Sequence, residues 1–178
     1  MRSETDYYLE DKSGFNVKID LAELGSKENL RFKNLENMQI VVSSNIKSFY
    51  ALNLKNCLVF VGAVAGGSHL TNCENCQIHL ATHQVGRIGL IQLRIHKSID
   101  CAFFTLARSS PIIEHCDRVH FGTPRLVYEG QDCDLKEVGL WDGFENKWAE
   151  VLDFQWLKEV KNPHWDVETP PVKPIMDL

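Results

Sequence analysis

"NLENMQIVV" (residues 34–42), "NLKNCLVFV" (53–61) and "NCENCQIHL" (72–80) stand one beneath another at a constant spacing of 19 residues. Each copy opens on Asn, carries a Met or Cys at its middle and closes on an apolar run. A unit this short has no room for a pair of helices with their turns, which excludes the helical repeats. Short β-branched and aromatic runs punctuated by Asn, Ser and Gly suit one coil of a parallel β-solenoid. Two or three strands of about four residues per coil, stacked 4.7–4.9 Å apart, satisfy backbone groups between neighbouring coils. A leucine-rich repeat shares this period, but its L-x-x-L-x-L-x-x-N series is not kept. The repeated Asn and Cys/Met positions therefore read as corners and internal ladders.

Looser copies follow at "HKSIDCAFF" (96–104) and "HCDRVHFG" (115–122), after a longer stretch over residues 81–95 that implies an insertion in that coil. About five coils are expected, a rod of roughly 20–25 Å. We expect the β-solenoid over residues 30–140, preceded by a cap segment over 1–29. In that cap, "DLAELG" (20–25) suits a single helical turn and a stop. Beyond Trp141, "WDGFENKWAEVLDFQWLKEV" places Trp148, Val151, Leu152, Phe154, Leu157 and Val160 at three- and four-residue intervals. That pattern predicts an amphipathic helix of about 14 residues along the solenoid, ending before Asn162-Pro163, within a C-terminal segment over 141–169. The Pro-rich tail over 170–178 reads as extended or disordered.

Composition narrows the class. A chain of 178 residues, 44% hydrophobic and 24% charged, fits a globular domain. A net charge of −5 lacks the concentration of Lys and Arg that phosphate neutralisation requires, so nucleic acid is not an expected partner. No apolar run approaches the roughly 20 residues of a membrane span, and "MRSETDYYLE" holds no export signal; a cytoplasmic protein is expected. Six cysteines (57, 73, 76, 101, 116 and 133) raise disulfide and metal readings. Reduced thiols are expected in such a compartment. Cys73 and Cys76 form a CxxC pair with no second pair to complete a zinc site. We read the cysteines as small core side chains, and expect neither metal nor cofactor.

In "IQLRIH" (91–96), Ile91, Leu93 and Ile95 alternate with Gln92, Arg94 and His96, the period of a strand that buries one face and presents the other. Three polar side chains would then stand in a row outside. An outward arginine on a rigid strand is suited to enter another protein's anionic site, because its guanidinium stays protonated and offers a planar fork of donors. Arg87, Arg108, Arg118 and Arg125 have no motif about them and read as solvated charges.

The run "QLRIH…DCAFF…SPIIEHCDRVHFG", followed by "NKWAEVLDFQWLK" and "NPHWDV", resembles the C-terminal domain of the tubulin-binding cofactor C family, from about Phe15 to Val167. The resemblance implies an all-β, right-handed parallel β-helix and the stimulation of GTP hydrolysis in a partner. For cofactor C that partner is β-tubulin held with cofactors D and E; for the retinal branch it is an Arf-like small GTPase. The family's catalytic arginine falls on Arg94. The family's interface glutamate falls on Glu114 in "SPIIEHC", placed to steer Arg94 or to bind a basic residue of the partner, and its partner-packing phenylalanine falls on Phe154 in "LDFQWL", on the predicted helix; on the face of Arg94 itself, Gln92 would orient the arginine or touch the partner's nucleotide loop, and His96 is a rim position. Relatives carry a second glutamine where this chain has Ile91. The family's N-terminal helical domain, associated with tubulin binding, has no counterpart in these residues.

Three classes of function follow. The first is a GTPase activator with Arg94 as an inserted finger, working in the cytoplasm on cytoskeletal protein. The second is a binding module without catalysis, as in the related actin-binding domain of cyclase-associated proteins. The third, a polysaccharide-cleaving β-helix, needs carboxylates gathered in one groove. Asp100, Glu114 and Asp117 are too few and too scattered for that.

Overall fold

A computed structural model describes residues 3–82, 93–124, 128–140 and 143–167. The chain begins with β1 (Asp6–Ser13), β2 (Asn16–Asp20), the short helix α1 (Leu21–Leu24), β3 (Asn29–Glu36), β4 (Gln39–Ser43), β5 (Ser48–Lys55) and β6 (Leu58–Val64). It continues through β7 (Ser68–Glu74), β8 (Gln77–Thr82), β9 (Leu93–His96), β10 (Ala102–Ala107), β11 (Ile112–Glu114) and β12 (Val119–Gly122). The end comprises α2 (Gln131–Glu137), β13 (Leu152–Asp153) and β14 (Trp165–Asp166).

Odd-numbered strands form one seven-stranded sheet and even-numbered strands another, every neighbouring pair parallel. This is the parallel β-solenoid that the repeat predicts. Inward side chains of both sheets meet in one core, with Phe32, Phe49, Phe103 and Phe121 each at most 1% exposed. Among the described residues no helix is long and apolar enough to cross a membrane.

The 19-residue repeat is a repeat of corners. Five of the passages from an odd strand to the next even one turn on two residues three apart: Asn34/Asn37, Asn53/Asn56, Asn72/Asn75, Lys97/Asp100 and His115/Arg118, with φ between 49° and 58°. Asn tolerates this left-handed backbone better than other residues with a Cβ, because its short amide can bond locally. Here the amides bond along the rod. Asn53 donates to Asn34 at 2.8 Å and Asn72 to Asn53 at 2.7 Å; Asn56 donates to Asn37 at 3.0 Å and Asn75 to Asn56 at 2.8 Å. Register also corrects one copy. Ala102 pairs with Gln77, so the fourth repeat starts at Lys97, one residue after the start that "HKSIDCAFF" suggests.

All six cysteines are free, and five are buried. Cys57, Cys76 and Cys101 stack inside the corner on successive rungs. The Cys76 thiol is pushed up to about 12, first by the Cys101 thiol against it and then by burial, so it stays protonated and packs as an apolar group. The core-filling reading holds for the five buried cysteines and fails for Cys133. Cys133, on α2, is exposed.

Both ends differ from expectation. The single turn at Leu21–Leu24 is present, with the Asp20 carboxylate accepting from the Glu23 N–H at 3.0 Å. The segment before it, expected only to cap, supplies β1 and β2 and so is itself a rung of the rod. The expected helix over residues 148–160 is absent: that stretch is turns around β13, and Leu157 and Val160 are 91% and 64% exposed. The edge of β11 explains this. A short isolated helix is marginal in water, whereas pairing β13 onto β11 satisfies an open row of backbone groups. The Leu152 and Phe154 N–H groups donate to the Pro111 and Ile113 carbonyls at 2.9 and 3.3 Å.

The helix that does pack on the solenoid is α2, against the outer face of the even sheet. Leu135, Val138 and Leu140 meet Ala63 and Ala81 there, and Tyr128 packs with Val41, Leu58 and Phe60. A Cβ at Gly62 would lie 2.7 Å from the Tyr128 hydroxyl and 2.4 Å from the Ser44 carbonyl oxygen, so only glycine allows this approach. Among the described residues no helix packs on the outer face of the odd sheet.

Candidate functional site

On that face, side chains of equivalent register form straight rows along the rod. One row runs Tyr8, Arg31, Tyr50, His69, Arg94, Ile112 and Leu152, one residue per rung. The next runs Glu10, Lys33, Leu52, Thr71, His96 and Glu114. Phe154 continues it, because its N–H bond to Ile113 extends the β11–β13 register by one residue. Arg94, His96, Glu114 and Phe154 are thereby gathered on one face over three successive rungs. Gln92, like Ile91, Arg87 and Arg125, lies outside the described residues.

Within β9 the burial alternates as the pattern predicts: Leu93 and Ile95 are each 1% exposed, and Arg94 and His96 are half-buried on the other side. Neighbouring strands on both edges fix this short strand, since β7 and β11 pair with it. Arg94 therefore projects from an interior rung, where backbone freedom is least.

What surrounds the guanidinium is as informative as where it stands. Arg31, in the same row, is held by the buried Asp6 carboxylate, whose acidity the Arg31 guanidinium raises, holding its carboxyl below the ordinary range against the opposing effect of burial. Arg118 donates to both oxygens of Asp100, at 2.6 and 2.9 Å, and also pairs with Asp117. Expected as a solvated charge, it instead closes the corner ladder that Asn37, Asn56 and Asn75 begin. The Arg108 guanidinium lies 5.4 Å from the centre of the Phe144 ring. Among the described residues, no hydrogen bond or ion pair engages Arg94. Its rung neighbours are His69 on one side and the buried, apolar Ile112 on the other. A cation so placed is fixed at its root, and no described carboxylate neutralises its tip, the condition in which it can bind a partner's anionic oxygens.

Glu114 is exposed, and its carboxylate lies 3.9 Å from His115. His115 packs edge to face on His96 at 5.4 Å, and its Nδ1 lies 2.8 Å from the Gln155 amide nitrogen. Gln155 also accepts from the His115 backbone N–H at 3.0 Å, which fastens the turn bearing Phe154 to the β11 corner. From the other side, the Asp153 carboxylate takes His164 Nδ1 at 2.7 Å, the Asn162 amide at 2.9 Å and the Gln155 N–H at 2.9 Å. Phe154 is thus 53% exposed on a fastened turn rather than on a helix.

The row running up to Arg94 escapes a reading by motif. Tyr50 and His69 stack at 5.3 Å with 4° between their planes, and Arg31 lies 4.4 Å from the Tyr50 ring centre. A signal was available, because residues 31, 50 and 69 are spaced by the same 19 residues as the Asn corners. The insertion before β9 breaks that spacing and hides Arg94's place in the row.

The family model described as Tubulin binding cofactor C matches residues 27–154. The chain is 35% identical over 134 residues to a tubulin-folding cofactor C of Arabidopsis thaliana, covering 75% of this chain and 36% of that protein. It is 29% identical over 173 residues to the tubulin-specific chaperone C of Bos taurus, covering 94% of this chain and 48% of that one. The solved structure of tubulin binding cofactor C from Leishmania major shares the fold, with a TM-score of 0.55 at 20% identity over 92% of this chain and 89% of the other. The chain spans between about a third and a half of the length of these two curated relatives. With its family match running through β9, β11 and the turn at Asp153, this chain belongs to the tubulin binding cofactor C family.

Proposed function

We propose that the chain serves tubulin folding as a GTPase-activating domain, placing Arg94 in the nucleotide site of β-tubulin held with cofactors D and E. Phosphoryl transfer spreads negative charge over the transferred group and the leaving oxygen, and little covalent chemistry remains for a protein to do. A positive charge fixed at that point stabilises the transition state more than the ground state, which accelerates the reaction. An inserted arginine contributes about 10³–10⁵ in rate in such systems. The observation that carries this reading is the isolation of Arg94: it roots in an interior strand, and no described carboxylate occupies it. Glu114, His96 and Phe154 would contact the partner around it. Such an activity would be exercised in the cytoplasm, on cytoskeletal protein.

The test is GTP hydrolysis by purified tubulin with cofactors D and E, and separately by an Arf-like small GTPase, each with and without this chain. Stimulation of the tubulin assembly is the expected result. Stimulation of the Arf-like protein alone would reassign the partner, and binding without stimulation in either case would reduce the chain to a docking module.

A further inference from the structure

Asp6, Arg31, Tyr50 and His69 form a fastened series that ends beside Arg94. Asp6 is buried and accepts from Arg31, from the Asn29 amide at 2.8 Å and from the Tyr8 hydroxyl at 3.1 Å. Arg31 lies over one end of the stack, 4.4 Å from the Tyr50 ring centre, and the His69 imidazole lies parallel to that ring at 5.3 Å. Both aromatic rings are thus held before anything approaches from outside. The next rung is Arg94, directly across the ladder from His69. On the far side of Arg94 stands Ile112, 5% exposed.

We infer that His69 is a positioning residue for Arg94, a rigid flat wall that narrows the directions open to its side chain. The inference rests on the activating role proposed for Arg94. An arginine awaiting phosphate oxygens needs restraint without neutralisation. A neighbouring carboxylate would restrain it, but would compete with the phosphate for the same donors. A stacked imidazole on one side and an isoleucine on the other restrict a long, rotamer-rich chain and neutralise none of its donors. His69 is suited to remain neutral there, because burial and then the Arg94 charge both lower its pKa. Misplacement of a catalytic group by about 1 Å can cost roughly 10²-fold in rate, so a restraint of this kind is worth a measurable fraction of the activation.

The experiment compares wild type, His69→Ala and His69→Phe. ¹⁵N relaxation gives the order parameter of the Arg94 Nε–Hε bond in the free chain, and hydrolysis by tubulin with cofactors D and E gives kcat and KM. His69→Ala is expected to lower the Arg94 order parameter and to reduce stimulated kcat by about tenfold with KM nearly unchanged; His69→Phe, which restores a flat ring, is expected to recover both. All three proteins are expected to melt together, since His69 lies on the outer face. Wild-type order at Arg94 in His69→Ala overturns the inference. If wild type stimulates no hydrolysis, the activating role fails, while the order parameter still decides whether His69 restrains Arg94.

Discussion

Glu114 lies directly across the ladder from His96, one rung on, so its carboxylate is displaced from Arg94 by a rung and by two residues along the strand. That offset separates the tasks proposed for them. Glu114 is too far along the face to hold Arg94 as an ion pair, and it is exposed enough to meet a basic group of a partner.

Replacing Glu114 by Ala should therefore weaken binding without disturbing the fold. A rim charge pair contributes up to about 1 kcal/mol, or roughly fivefold in affinity. Calorimetric titration of the tubulin assembly with wild type and Glu114→Ala reads this directly. Equal dissociation constants would remove Glu114 from the interface.

At Asn53 two functions coincide: a left-handed backbone, φ 58°, and a place in the middle of an amide ladder. Asn53→Gly loses the ladder but adopts the backbone freely, whereas Asn53→Ala loses the ladder and also meets the left-handed penalty, about 1–2 kcal/mol. Chemical denaturation should rank wild type above Gly and Gly above Ala. Equal stability of the two variants would show that the corner backbone is not what selects asparagine.

Asp153 joins the last rung to the C-terminal segment, and its acidity has a definite sign. Burial pushes its pKa up, but His164, Asn162 and the Gln155 N–H together outweigh that effect and hold it below the ordinary 3.8. A carboxylate with a depressed folded pKa contributes stability above its unfolded value and loses it as pH falls through the folded one. Wild type should lose stability on acidification below about pH 4, and Asp153→Asn should be less stable at neutral pH by about 1–3 kcal/mol, with a shallower loss in acid. Urea unfolding midpoints between neutral pH and pH 3 measure both slopes. A deficit of constant size at every pH would mean that ionisation of Asp153 contributes nothing.

The rod was legible because its corners repeat in residue type as well as spacing. Asn34, Asn53 and Asn72 recur where the left-handed backbone favours Asn or Gly, before Lys97 and His115 take the same corner, and the apolar run after each Asn fills one rung of the even sheet. Arg94 was legible for a similar reason, since Leu93 and Ile95 alternate with it. The C-terminal segment was not. Trp148, Leu152 and Val160 carry a helical period, yet the competing demand came from β11, whose open edge is invisible in the local pattern. The row from Arg31 to His69 was hidden differently: its members share no chemistry by type, and become a unit only when register brings aromatic rings and a guanidinium into contact. Helix α2 has too short an apolar period to stand out, with Leu135 and Val138 as its contacts on the outer face of the even sheet.

Single-turnover GTP hydrolysis by tubulin with cofactors D and E, measured with saturating wild type, Arg94→Lys and Arg94→Ala, isolates the guanidinium from binding. We expect Arg94→Ala to bind and melt nearly as wild type does but to lose stimulation by about 10³-fold or more, and Arg94→Lys to recover little, because a point charge cannot reproduce the planar fork. An alanine variant that stimulates as well as wild type would contradict the finger.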